Sequence, residues 1–330
     1  MINRTLFLTV ATQSSGLGHL MRCLAISDAL EDQGVSTHFI IDTQYDLEIV
    51  KPYEKVNWGN ELNKIVPILK EYTTIFVDSN KLSQDVLDEI HNQVKTLIFI
   101  DDYYRWVHTK RMIIDWTVSV EKKEIHDKRE SSEYLLGPKY TALRKEFWEN
   151  KKRSIRENID NVLITFGGSD IRSLTPRMMK IIKENFPEIN MNIIVGRGFS
   201  NKQEIEAEAN ERTNIIFNPD AGLMKKTMMI CDTAIASGGQ TLYELASVGL
   251  PTIAITMIDN QVEDTLGFDE TGFLFNAGWW DDELLEEKII NFLNSLLDYS
   301  TRKNMSVTGQ KTIDGKGAIR IAKTIVNKTK

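Results

Sequence analysis

Short, continuous apolar runs recur along the first half of the chain at residues 5–10, 37–42, 74–78 and 96–101, with amphipathic stretches such as 20–30 and 84–94 between them. A strand that is apolar on both faces has to be covered on both faces, so alternation with helices predicts a parallel sheet between helical layers. The plan starts again later, with runs at 161–166, 191–195, 214–217, 233–236 and 252–255. The length of 330 residues suits two domains. The repeat divides them at 1–150 and 151–330, with the polar, mostly charged stretch 149–158 reading first as a linker and second as a basic run for a phosphate. The expected class is therefore α/β, with two Rossmann-like, doubly wound parallel sheets. Residues 115–120 read as one further strand, 134–138 as an extended piece ending in a turn, and 318–326 as a final amphipathic helix.

The first run leads directly into Ser15-Gly16-Leu17-Gly18-His19-Leu20-Met21-Arg22-Cys23-Leu24. This is a strand, a tight turn and a helix. Glycines let the backbone turn sharply beside a ligand, and a helix start points N–H groups and partial positive charge outward. Imidazole takes or gives a proton near neutral pH, so His19 at the mouth of this turn reads as a general base, or else as a histidine packing the first helical turn.

The strand-end acids Asp42, Asp78, Asp101 and Asp102 fall where such sheets bind ligands. They admit three readings: caps of following helices, the first choice for Asp42; partners of sugar hydroxyls; or ligands of a divalent metal. The adjacency of Asp101 and Asp102 turns their side chains apart in a strand, which weighs against the metal. A dinucleotide fingerprint with Asp42 as the ribose acid is opposed by Met21, which stands where that motif needs its third glycine.

In the second half, Gly167-Gly168-Ser169-Asp170 repeats the turn after a strand, and Ser237-Gly238-Gly239-Gln240-Thr241 precedes a helix carrying Glu244. Gly238 and Gly239 are expected to offer N–H groups to a diphosphate, helped by Gly168 and Ser169. Gln240, Thr241 and Glu244 share a helix face, and a carboxylate one turn along suits both hydroxyls of a ribose. Gly249 and Pro251 stop that helix. Asp259-Asn260-Gln261 places amides on the same rim. Met228 and Met229 read as core, and Trp279 and Trp280 as docking the C-terminal helices.

A formal net charge of −7 argues against nucleic acid or a membrane surface as partner. No signal-peptide pattern or apolar run of about 20 residues is present, giving the expectation of a cytoplasmic protein without stable membrane insertion. The two cysteines, Cys23 and Cys231, read as buried hydrophobes, one per domain.

GLGHLMRCL, FGGSD, Leu135-Leu136-Gly137-Pro138-Lys139-Tyr140 to Leu143-Arg144, SGGQTLYE, GLP and DNQ occur in an order that resembles a known family. This is the UDP-2,4-diacetamido-2,4,6-trideoxy-β-L-altropyranose hydrolases of pseudaminic acid biosynthesis, relatives of the glycosyltransferase MurG. The resemblance spans nearly the whole chain. It implies a GT-B fold with the two domains facing across a cleft, a UDP-sugar substrate, no cofactor and metal-independent, inverting hydrolysis. By motif position it makes His19 the catalytic base, Glu244 the ribose acid and Asn260 a cleft residue. Ser237, Gly238, Gly239, Gln240, Thr241, Gly168 and Ser169 join Glu244 on the UDP side. Gly16, Gly18, Arg22, Asp78, Asn80, Asp101, Tyr103 and Gln261 join Asn260 on the sugar side. This chain departs from the family at Ala11-Thr12-Gln13, at Asn80 where tyrosine is expected, and at Tyr103-Tyr104-Arg105, all on the sugar side. A glycosyltransferase with the same base, or a nucleotide-sugar-binding protein without turnover, are the competing readings.

Overall fold

A computed structural model of the chain describes residues 4–12, 15–47, 49–79, 82–101, 111–120 and 133–329. Asn80, Asp102 and Tyr103 lie outside the described residues. Chain contacts group the molecule into two compact units, 1–145 with 316–330, and 146–315. The expected division at 150 and 151 differs from this grouping at two places: 146–150 go with the second unit and the C-terminal 316–330 with the first.

The first unit contains, in chain order, β1 (Arg4–Val10), α1 (Gly18–Glu31), β2 (Ser36–Asp42), β3 (Tyr53–Lys55), α2 (Leu62–Leu69), β4 (Thr74–Asp78), α3 (Gln84–Gln93), β5 (Thr96–Ile100), β6 (Met112–Asp115) and β7 (Glu133–Leu136). The strands form one parallel sheet in the order β3-β2-β1-β4-β5-β6-β7. Alternate residues of a strand point to opposite faces. On one face Leu6, Leu8, Ile40, Ile75, Val77 and Phe99 pack with Ile65 and Leu69 of α2 and Leu87 and Ile90 of α3. On the other, Phe7 stacks between its register neighbours Phe39 and Phe76, at ring separations of 4.8 and 4.6 Å.

The second unit contains β8 (Asn161–Thr165), α4 (Leu174–Asn185), β9 (Asn190–Val195), α5 (Lys202–Glu208), β10 (Thr213–Phe217), α6 (Ala221–Ile230), β11 (Thr233–Ser237), α7 (Thr241–Ser247), β12 (Thr252–Thr256), α8 (Val262–Thr271), β13 (Leu274–Trp279), α9 (Leu285–Leu296) and α10 (Tyr299–Thr312). Its parallel sheet runs β10-β9-β8-β11-β12-β13. The chain ends in α11 (Gly317–Thr329), which packs on α1 of the first unit.

Several expectations are corrected. The strand expected at 115–120 lies earlier, at β6, because the Asp115 carboxylate accepts the Thr117 N–H at 2.9 Å and turns the chain. Among the described residues no helix follows Asp42 for it to cap, since the next element is β3. Met229 is exposed, on the face of α6 away from the buried Met228. Trp279 ends β13 with 39% of its surface exposed, while Trp280 packs against the core under Arg172, 4.2 Å from its ring centroid. The stretch 149–158 is docked rather than loose: Arg153 donates to the Met228 and Cys231 carbonyls, and Arg156 to the Ile230 carbonyl and the Asp232 carboxylate. These cations sit at the C-terminal end of α6, where the helix dipole favours them. No helix among the described residues is long and apolar enough to cross a membrane.

Candidate functional site

Each sheet has one place where successive crossovers leave in opposite directions, between β1 and β4 in the first and between β8 and β11 in the second. Ligand crevices of open α/β sheets form at the carboxyl ends of such strand pairs. The turn carrying His19 follows β1 and Asp78 ends β4, with Thr9 and Asp78 in register. The turn 167–169 follows β8, and Gly238 to Gln240 follow β11, which ends at Ser237.

In the first unit the chain leaving β1 is pinned by Thr12 and Ser15, whose hydroxyls lie 2.9 Å apart, and by a Gly16 N–H to Thr12 carbonyl bond of 2.9 Å. Gly16 and Gly18 are exposed, Gly18 begins α1, and the N-cap residue Leu17 makes no side-chain cap bond. His19, with 13% of its side chain exposed, lies 2.7 Å through Nδ1 from Asp78 Oδ1. Arg22, one turn along on the same helix face, grips the same carboxylate with Nε and Nη2, both at 2.6 Å. Its guanidinium carbon lies 5.2 Å from the Trp116 ring centroid. The Cys23 thiol donates to Asp78 Oδ2 at 3.6 Å.

Asp78 has no exposed surface. Burial alone opposes its ionisation, but the Arg22 guanidinium and then His19 outweigh burial and hold the carboxyl well below the usual range. Burial, followed by the Asp78 charge, pushes the Cys23 thiol well above its usual range, so Cys23 is a protonated donor here. Arg22 Nη2 is also 3.2 Å from His19 Nδ1. Arginine only donates, so that ring nitrogen cannot accept from it while donating to Asp78. The shorter contact to a carboxylate decides the tautomer: Nδ1 carries the proton, and among the described residues Nε2 has no partner.

Arg22 and Asp78, expected on the sugar side, are buried and bonded to each other beside His19. Asp101 is also buried, with its N–H bonded to the Ile114 carbonyl in the sheet. Asn80 and Tyr103, the remaining sugar-side expectations of this unit, fall outside the described residues. The bonding of His19 to Asp78 and Arg22 is what the sequence reading missed. Two signals pointed to it: the three-residue spacing from His19 to Arg22, and an acid ending a strand beside β1.

In the second unit, Ser237 is buried at the end of β11, Gln240 stands at the N-cap of α7 and Thr241 opens the helix. Gly238 is fixed by sterics: a Cβ there would lie 2.3 Å from Thr265 Oγ1 and 2.8 Å from Gln261 Cβ. Its N–H donates to the Ile255 carbonyl at 3.3 Å, so it does not join Gly239 in a cradle of outward N–H groups as expected. Glu244 is 6% exposed, not a solvated surface charge. Tyr243 ties α7 to α8 by donating to Asp264.

Gln261 is committed to the backbone, its Oε1 accepting the Met257 N–H at 2.9 Å, whereas Asn260 is exposed in the turn 259–261. Gly168 is exposed and Ser169 half-buried. The N–H groups opening α4 are taken by Asp170, which accepts from Leu174 at 2.9 Å and Thr175 at 2.7 Å. That helix start therefore holds an internal anion, and Gly168 and Ser169 border it rather than an open one. Gly196 packs on this turn so closely that a Cβ would sit 2.5 Å from the Gly168 carbonyl oxygen. Among the described residues no three His, Cys, Asp or Glu side chains gather as metal ligands.

No family model matches the chain. It is 26% identical over 277 residues to uncharacterized protein MJ1062 of Methanocaldococcus jannaschii, covering 78% of this chain and 56% of that one. It is 23% identical over 331 residues to the spore coat polysaccharide biosynthesis protein SpsG of Bacillus subtilis, covering 93% of each. A third relative is the pseudaminic acid cytidylyltransferase and UDP-2,4-diacetamido-2,4,6-trideoxy-β-L-altropyranose hydrolase of Helicobacter pylori. It is 26% identical over 262 residues, 78% of this chain and 45% of the relative. The chain thus spans about half the length of two of these three relatives. Among solved structures, MurG of Acinetobacter baumannii superposes with a TM-score of 0.67 at 14% identity, over 98% of this chain and 99% of that one. MnaA of S. aureus, solved with UDP, superposes at 0.64 and 12% identity, over 97% and 96%. These likenesses show the fold, which is of the GT-B type with two Rossmann-like units.

Proposed function

We propose that this chain is an enzyme of glycan biosynthesis that hydrolyses a UDP-linked sugar, of the diacetamido-trideoxy class, to free sugar and UDP with inversion. The observation that carries the reading is the state of His19: Nδ1 is committed to a buried carboxylate and Nε2 is unpartnered among the described residues, at the switch point of its sheet. SpsG and the Helicobacter pylori relative support the broader assignment to nucleotide-sugar chemistry in glycan biosynthesis.

In this reading the second unit binds UDP at Gly239, Gln240 and Thr241, with Glu244 on the ribose. Nε2 of His19 takes a proton from water as its oxygen bonds to the anomeric carbon, and the carbon–oxygen bond to the β-phosphate breaks on the opposite side. The bond electrons leave with UDP. Glycosidases use a second carboxyl group to protonate a poor leaving group. A nucleoside diphosphate leaves as a stable anion, so one base suffices, with N–H dipoles stabilising the charge that develops.

The test is UDP release from a panel of UDP-sugars, each with and without sugar and lipid acceptors. Release that needs only water supports the proposal. Release that requires an acceptor makes the chain a glycosyltransferase, and tight binding with the ligand intact after long incubation makes it a binding protein.

A further inference from the structure

His19 sits against a pair of opposite charges. Asp78 Oδ1 lies 2.7 Å from Nδ1 and invites a second proton onto the ring, while the Arg22 guanidinium, 3.2 Å from the same nitrogen, opposes one. Arg22 is rigidly placed, forked onto both carboxylate oxygens at 2.6 Å and resting on the buried Trp116 indole. A bidentate arginine–carboxylate pair has fixed geometry and no net charge. Other ionisable groups toward the carboxyl ends of these strands, among the described residues, include the Cys23 thiol on α1, Asp42 ending β2, Tyr45 and Asp46 just after it, Lys55 ending β3 and paired with Asp46, Asp101 after β5 and Asp115 ending β6.

We propose that Arg22 is a positioning and charge-balancing residue for His19: it neutralises Asp78, so that the carboxylate fixes the Nδ1–H tautomer without drawing a second proton to Nε2. A histidine facing a lone buried carboxylate would hold both protons to higher pH and lose its basic lone pair. With the arginine in place, Asp78 orients the ring as part of a pair that carries no net charge. Arg22, placed among sugar contacts by its motif, thereby acts from behind the base. Its relevance to turnover rests on the hydrolase reading above, whereas the ring's tautomer and titration do not.

The experiment uses full-length protein labelled with ¹⁵N-histidine and no substrate. The five histidines give long-range ¹H–¹⁵N correlations, and those of His19 are identified by their loss in His19→Gln. Neutral His19 in the unmodified chain is expected as the Nδ1–H tautomer, and the Nε2–H form overturns the proposal. In Arg22→Gln the protonation midpoint of His19 is expected to rise by about one unit or more. An unchanged or lower midpoint in a folded Arg22→Gln protein overturns it.

Should that variant not fold, Arg22→Gln/Asp78→Asn removes both charges together. Its midpoint is expected within about half a unit of the unmodified chain, because a neutral pair replaces a neutral pair. A midpoint lying well below shows that the carboxylate alone set the ring, and refutes the role of Arg22. Absence of UDP-sugar turnover leaves these readouts intact, so the two proposals fail separately.

Discussion

His19 and Asp78, 59 residues apart in sequence, meet at 2.7 Å through Nδ1 and Oδ1 because the strands that lead to them, β1 and β4, are neighbours in the sheet. Among the described residues Oδ1 and Oδ2 together accept four donor contacts, from His19, Arg22 and Cys23. The carboxylate therefore both orients the base and compensates a buried cation.

Asp78→Asn should impair both roles. An amide cannot balance the Arg22 charge, and breaking a buried pair by removing one partner costs about 3–5 kcal/mol. Urea unfolding should show a loss of that size. Turnover of a UDP-sugar should fall by about 10²-fold or more as the ring loses its fixed tautomer. Unchanged stability would mean that Arg22 has found another counter-ion.

His19→Ala addresses the base alone. Its side chain contacts the charge pair from outside and does not hold it together, so the fold should persist. Removing a general base costs about 10² to 10⁴ in rate. UDP affinity, measured by calorimetry, should stay within about twofold if the second unit holds the nucleotide, since those contacts are untouched. Equal turnover in the variant and the unmodified chain would remove His19 from the chemistry.

Acid should weaken the first unit through Asp78. Its folded carboxyl titrates well below the usual range because Arg22 and His19 outweigh burial, whereas an unfolded aspartate titrates near about 3.9. As pH falls, the unfolded chain takes up that proton first, so stability declines. The contribution is complete above about pH 5 and is lost from about pH 4 downward through the folded value. Chemical unfolding across this range should give a steeper decline for the unmodified chain than for Asp78→Asn.

The strands that were legible in the sequence are the ones covered on both faces, since continuous apolar runs such as Leu6 to Val10 and Thr74 to Asp78 have few other structural homes. β3, mostly exposed at the sheet edge, and β13, interrupted by Asn276 and Gly278, carry no such signal and were missed. The allegiance of α11 is set by packing on α1, which no local pattern encodes. His19 could be singled out from its turn, but the burial of Arg22 and Asp78 depends on the order of β1 and β4 in space. Asp170 likewise reads as part of a phosphate turn until its carboxylate is found on the amides of Leu174 and Thr175.

The two cysteines should be silent in the folded protein. Burial first, and then the Asp78 charge, raises the Cys23 thiol well above its usual range. Burial chiefly pushes the Cys231 thiol up to about 12. The thiolate is the nucleophile, so at about pH 8 neither should react with a disulfide reagent while the chain is folded. Both should react in denaturant. Rapid reaction of one thiol under native conditions would show that its unit opens locally.

The two adjacent glycines of the second unit should respond differently to one methyl group. A Cβ at Gly238 would overlap Thr265 Oγ1 at 2.3 Å and the Gln261 Cβ at 2.8 Å, whereas at Gly239 the nearest neighbour is Gln261 Nε2 at 3.9 Å. Forcing a methyl into packed surroundings costs about 1–3 kcal/mol. Gly238→Ala should therefore melt several degrees lower, and Gly239→Ala should match the unmodified chain. The same pair reports on the ligand. Gly238 N–H is bonded within the sheet, so Gly239 is the better placed of the two to present its amide to a diphosphate. A methyl on Gly239 should then weaken UDP binding by about tenfold without lowering stability, by blocking close approach of the phosphate to the backbone. Equal UDP affinity in Gly239→Ala and the unmodified chain would move the diphosphate away from this turn.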